Sequence, residues 1–149
     1  WDPDHGKMDA VYDISRTIEK VLRPKVWLRG GGYLIIQPTE ALIAIDVNTG
    51  KAISKKKDVE KTFLKVNMEA VEEIARQLRL RNLSGMILID FIDMKDPEHK
   101  EKVLQALERA TAKDPAQTTV VDMTALGLVE VTRKKVRKSF YEQLKKGQD

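Results

Sequence analysis

The sequence predicts an α/β fold, a mixed β-sheet packed against helices in a two-layer sandwich. Three observations carry that expectation. Apolar runs of strand length recur at Tyr33 to Gln37, Ala41 to Val47, Met86 to Ile92, Thr118 to Asp122 and Leu126 to Thr132. Longer stretches lie between them, with apolar residues at helical spacing. The resulting order, αββαβαββα, carries helices across between strands, which implies parallel neighbours in a sheet that also contains hairpins.

Taken in order, Trp1 to Met8 mix Asp, Pro, His and Gly without periodicity, so residues 1–12 read as a flexible N-terminal end or an expression remnant. Val11, Ile14, Ile18, Val21 and Leu22 predict a helix from Asp9 to Leu22, closed by Pro24. Val26-Trp27-Leu28 is a short apolar run. Arg29-Gly30-Gly31-Gly32 then reads as a flexible turn, because the Lys-Ser/Thr and helix of a phosphate-cradling loop do not follow it. Tyr33 to Gln37 and Ala41 to Val47 form an antiparallel pair around Pro38-Thr39-Glu40. Asp58 is the N-cap of a long helix from about Val59 to Arg81. Its stripe of Phe63, Leu64, Met68, Val71, Ile74, Ala75 and Leu78 must pack on the sheet. After Leu83-Ser84-Gly85 comes the strand from Met86, then a helix from about Glu98 to Ala112. Thr118 to Asp122 reads as a third central strand, Leu126 to Thr132 as another, and Arg133 to Lys146 as a basic terminal helix.

The chain has 149 residues, enough for one domain with a sizeable core. Hydrophobic residues make up 42% and charged ones 34%, a soluble composition. No apolar run reaches the roughly 18 residues that span a bilayer, and no secretory pattern is present, so a membrane partner is not expected. There are no cysteines, which removes disulfides and thiolate metal sites and fits a cytoplasmic protein. With two histidines, zinc is a poor match, and an oxygen-liganded Mg²⁺ or Mn²⁺ suits the inventory better.

The candidate site lies where two strands end. Ile45-Asp46-Val47-Asn48 runs out of one apolar strand into Thr49-Gly50, and Ile89-Asp90 closes another. Side chains alternate along a strand, so Asp46 and Asn48 share a face. If the two strands lie close and run the same way, Asp46 and Asp90 converge, and two converging carboxylates call for a cation. The plain alternative is that each aspartate caps a turn. Asp93 is a weaker candidate on the opposite face, and a turn cap is the favoured reading of Asp122. Asn67 is either a core amide bonded to backbone or a contact into the site.

The net charge of +4 is modest, but basic residues cluster beside these strands. Lys51, Lys55, Lys56, Lys57, Lys61 and Lys65 follow the first, Arg76, Arg79 and Arg81 precede the second, and Arg133, Lys134, Lys135, Arg137 and Lys138 form a third group. Solvated faces and helix-end charges explain any one cluster, whereas three together fit a polyanion. Aromatic residues are only 5%, so backbone gripping is expected more than base reading.

These residues also carry a family resemblance. Gly31 to Ile36, Thr39 to Leu42, Ala44 to Gly50, Asn67 to Ala70, Ile74 to Leu83, Gly85, Ile89 to Met94 and Leu126 to Arg133 resemble the catalytic core of the ribonuclease E/G family, over roughly residues 13–139. The resemblance implies a Mg²⁺-dependent endoribonuclease that hydrolyses phosphodiester bonds of single-stranded RNA in processing and decay. It implies a DNase I-like subdomain over residues 13–149, with Asp46 and Asp90 as metal ligands and Asn48 as the supporting amide. Lys55, Lys56, Lys57, Arg76, Arg79 and Arg81 are expected along the RNA path. The family's RNA-binding oligonucleotide/oligosaccharide-fold domain, RNase H-like part and 5′-end sensor have no counterpart before residue 13, and its cysteine zinc link has none here, so the chain reads as an excised catalytic subdomain. The rival readings are a non-catalytic RNA-binding module, a self-associating homodimer or higher oligomer, and, last, a small-molecule phosphoesterase.

Overall fold

A computed structural model describes residues 23–52 and 58–135. The helix expected over 9–22, Lys55 to Lys57, and the terminal helix beyond residue 135 lie outside the described residues. The elements are β1 (Lys25–Trp27), β2 (Tyr33–Pro38), β3 (Ile43–Asn48), a 3₁₀ turn (Gly50–Ala52), α1 (Val59–Leu80), β4 (Gly85–Asp90), α2 (Pro97–Ala112), β5 (Thr118–Met123) and β6 (Leu128–Arg133). They form one six-stranded sheet in the order β1-β2-β3-β4-β6-β5. Only β3 and β4 pair in parallel, joined by the α1 crossover; the other neighbours are antiparallel.

The alternation of each strand sorts its side chains between two very different faces. Leu34, Ile36, Ile45, Val47, Ile87, Ile89, Val129 and Val131 are all buried on one face. They meet Val66, Ala70, Val71, Ile74 and Leu78 of α1 and Val103 and Leu107 of α2 in a single core. The residues that alternate with them look the other way; Asp46, Asp90 and Thr132 are exposed, and Ile35, Leu88 and Glu130 are half-buried. Among the described residues both helices cover the same face, so the expected two layers are present and the opposite face of the sheet stays open to them.

The first helix starts at the cap the sequence places, Asp58, and the second at a cap not read from the sequence, Asp96. The Asp58 carboxylate accepts from Lys61 N at 3.1 Å, and the Asp96 carboxylate accepts from Glu98 N at 2.9 Å, with Pro97 in the first turn. Two strand assignments differ from expectation. Val26-Trp27 belongs to an edge strand rather than an isolated run, because the glycine turn folds it back on β2. Thr118–Met123 is the opposite edge strand and not a central one, since β6 inserts between it and β4. Pairing partners are set across the sheet, and two equally apolar runs do not announce which lies inside. Arg133, expected in a terminal helix, is the last residue of β6.

Arg133 anchors that end of the sheet. Its Nε donates to Asp114 Oδ2 at 2.7 Å, and its Nη1 donates to Asn82 Oδ1 at 2.9 Å and Leu83 O at 3.0 Å. The two charged side chains are 4% and 2% exposed. Burial works against the Asp114 charge, but hydrogen bonds from Arg133 and Ala116 N prevail and hold its carboxyl below the ordinary value. Arg133→Met leaves a buried, unpaired carboxylate and is expected to cost about 3–5 kcal/mol in urea unfolding. The carboxyl of Asp114 has a depressed folded pKa, so its contribution is present above the unfolded value, about 3.9, and is lost as pH falls through the folded one. An acid titration of Arg133→Met followed by circular dichroism should lack that component.

Glycine spacing holds the start of the sheet together. Gly50 has φ +53, and a Cβ there would lie 2.5 Å from Gly31 O. A Cβ on Gly32 would lie 2.8 Å from Asn48 O. The β1–β2 turn therefore packs directly on the chain leaving β3, and it is tied to α1 by Gly30 N donating to Glu69 Oε2 at 3.0 Å. Gly50→Ala is expected to destabilise by about 1–3 kcal/mol through strain and the forced retreat of Gly31, measured by urea unfolding.

Candidate metal centre at the ends of two parallel strands

The site follows from the β3–β4 register. In that parallel pair Asp46 is the partner of Asp90, and neighbouring strands lie about 4.8 Å apart. Alternation turns both side chains to the open face, where both residues are exposed. Asn48 stands on the same face two residues further along β3, and its Nδ2 donates to Asp46 Oδ2 at 3.2 Å. Burial, and then the charge of Asp46, raise the Asp90 carboxyl above its ordinary value. The strands thus bring two like charges together at the C-terminal ends of two central strands and supply one amide to orient one of them.

The chain beyond Asp90 is fixed at two points. Asn67 of α1 is fully buried; its Nδ2 donates to Ile92 O at 2.9 Å and its Oδ1 accepts from Ile92 N at 3.0 Å. The open question about Asn67 thus resolves to a core amide bonded to backbone, and the backbone it holds is the exit from Asp90. Glu60 then accepts from Lys95 N and Asp96 N, each at 3.1 Å, and lies 3.2 Å from His99 Nδ1. The hydrogen bond from Asp96 N is the largest of the effects that lower the Glu60 carboxyl. This clamp was not readable in advance, because Glu60 and His99 look like ordinary helix-surface residues.

The donor set at the strand ends is two carboxylates and one amide, all offering oxygen. Among the described residues no group of three or more His, Cys, Asp or Glu side chains is placed to hold a metal. Two carboxylates with a supporting amide suit a hard divalent cation that keeps several waters, rather than a fully caged one. Burial and the proximity of Asp46 raise the cost of ionising Asp90, a cost that a cation between the two carboxylates would offset.

Other sequence candidates fall elsewhere. Asp93 lies past the end of β4, exposed, with Lys100 Nζ 3.8 Å from its carboxylate. Asp122 accepts from Met123 N at 2.7 Å at the irregularity in β5, a local turn contact. Arg76, Arg79 and Arg81 are not brought to the aspartates. They close α1 next to the start of β4, whereas Asp90 is its last residue, roughly 17 Å further along the strand. Arg81 is 8% exposed, with Nε donating to Gln77 Oε1 at 2.7 Å and Nη2 donating to Arg23 O. Arg76 pairs with Glu73 at 2.8 Å on the same helix. Exposed cations nearer the aspartates in the sheet order are Lys25 on β1, Arg29 on the turn after it and Lys51 just past β3. Lys51 belongs to the basic cluster read from the sequence, whereas Lys25 and Arg29 stand singly there and were not picked out.

Comparison with known proteins shows the family. The model of the ribonuclease E/G family matches residues 3–136, reaching back into the stretch that reads as a loose end. Ribonuclease G of Escherichia coli (strain K12) is 48% identical over 130 residues, which is 87% of this chain and 26% of that protein. Ribonuclease G of Salmonella typhimurium (strain SL1344) is 46% identical over 135 residues, 91% of this chain and 27% of the relative. Ribonuclease E of Nostoc sp. (strain PCC 7120) is 45% identical over 139 residues, 93% of this chain and 20% of the relative. The chain therefore spans about a quarter or less of the length of the curated relatives it matches. With a family match over most of its length and identities of this size, the chain belongs to the ribonuclease E/G family.

Proposed function

We propose that this domain is the phosphodiester-cleaving part of a cytoplasmic endoribonuclease of RNA processing and decay, acting on single-stranded RNA with Mg²⁺, or Mn²⁺ in its place. The observation that carries the reading is the register pairing of Asp46 with Asp90 on the open face, with Asn48 bonded to the first. Asp46 and Asp90 hold the cation, and Asn48 orients the Asp46 carboxylate. Asn67 keeps the exit of β4 in place. A bound Mg²⁺ supplies charge neutralisation at the phosphodiester and acidifies water for its hydrolysis. Lys51, with Lys55, Lys56 and Lys57 after it in the chain, grips the phosphate backbone without reading sequence.

The test is cleavage of a fluorescent single-stranded RNA with Mg²⁺ and with EDTA. Asp46→Asn and Asp90→Asn are each expected to lower the rate at least about a hundredfold, the upper end of what loss of a group merely supporting a metal ligand costs, while urea unfolding stays cooperative. Mg²⁺-independent cutting, or full activity in either variant, would overturn the assignment. Tight, salt-sensitive binding without cutting would favour a non-catalytic RNA-binding module instead.

A second measurement does not depend on turnover. The raised folded pKa of Asp90 means that its share of stability is fully present below the unfolded value, about 3.9, and is lost as pH rises through the folded one. At pH near 7 and without metal, Asp90→Asn is expected to raise Tm, an advantage that vanishes in acid. Mg²⁺ should raise the Tm of the unchanged protein and leave that of Asp90→Asn with little response.

A further inference from the structure

The open face carries an aromatic pair that the metal centre does not use. Trp27 on β1 and Tyr33 on β2 are register partners, with ring centroids 5.3 Å apart in an edge-to-face arrangement. Lys25 Nζ lies 4.2 Å from the centroid of each ring. Trp27 nevertheless remains 58% exposed. A lone exposed aromatic carries no message, but this one is continuous with the aspartate pair. Tyr33 is the register partner of Asn48, and Ile35, two residues along β2, is the partner of Asp46. Trp27 is thus two strand spacings from β3, about 10 Å across the sheet, on the face where both carboxylates stand.

We propose that Trp27, set by Tyr33 and Lys25, is a stacking subsite for an unpaired nucleobase next to the phosphodiester held at Asp46 and Asp90. The subsite rests on the single-stranded RNA reading and adds to it a reason for strand preference. A base within a duplex is stacked on both sides and has no free face to offer, whereas a single strand presents one without cost in pairing. Stacking is tolerant of base identity because every base has a π-face. Lys25 contributes in two ways. Its ammonium is attracted to both rings and so fixes their relation, and its charge stands where a flanking phosphate would pass. Base contact therefore enters through geometry although aromatic residues are sparse in the chain, since two of the few lie side by side on the open face.

The test is equilibrium binding in EDTA, where no cleavage occurs, at several salt concentrations. The ligands are a short oligouridylate and the same sugar–phosphate chain without bases. The chain has two tryptophans, so Trp1→Phe leaves Trp27 as the sole reporter. Oligouridylate is expected to quench Trp27 fluorescence, and the abasic chain is not. Trp27→Leu should weaken oligouridylate binding about tenfold with an unchanged salt slope, and leave the abasic chain unaffected. Trp27→Phe, which keeps an aromatic face, should restore most of that loss, as a merely structural position would not require. Lys25→Gln should lower the salt slope by about one. If oligouridylate binds without quenching and Trp27→Leu matches the unchanged protein, the subsite is wrong while the ribonuclease reading stands. If neither ligand binds the unchanged chain, both fall together.

Discussion

Parallel pairing of β3 with β4 sets two aspartates side by side, and the surrounding structure is arranged to keep them there. Each strand buries its alternate residues, so neither can slip by one position without carrying its apolar set to the wrong face. The repulsion between Asp46 and Asp90 therefore cannot be relieved by a change of register. Nor is it relieved by local give, because Asn67 holds Ile92 by two hydrogen bonds and the glycine turn packs against the backbone of Asn48. Core burial, worth far more than one unfavourable charge pair at exposed strand ends, maintains the arrangement. That geometry is electrostatically poor on its own, which is what makes the pair a candidate site for a cation.

Basic charge in this chain serves two distinct ends. Arg81 and Arg133 are buried, and their planar, multiply donating groups satisfy carbonyl and amide oxygens at the end of the sheet remote from the aspartates. Guanidinium suits that task because it loses little hydration and offers several fixed donors. Lys25, Arg29 and Lys51 remain exposed on the strands and turns that carry the aspartates and the aromatic pair. The open face accordingly combines a pair of carboxylates, positive charge around it, and an aromatic surface to one side. Such a face suits an extended polyanion better than a small phosphate ester.

Much of the architecture was legible because local rules and tertiary structure agreed. Asp58 and the apolar stripe of α1 announced that helix, and the break at Leu83 to Gly85 announced the strand after it. Strand order was not legible. Thr118–Met123 and Leu128–Arg133 are both short and apolar, and only pairing decides that β6 lies inside and β5 at the edge. β1 is too brief to show alternation and exists because β2 is there to receive it.

The sequence by itself determined which groups the site contains. Strand alternation put Asp46 and Asn48 on one face, and the Ile-Asp endings of two apolar runs marked Asp46 and Asp90 as the pair to watch. Tertiary structure decided what stands next to what: Asp46 opposite Asp90, Trp27 against Tyr33, and Arg81 and Arg133 buried rather than on the surface. The reason is physical. Side-chain direction follows from backbone geometry within a few residues, whereas register and burial depend on contacts between segments far apart in the chain.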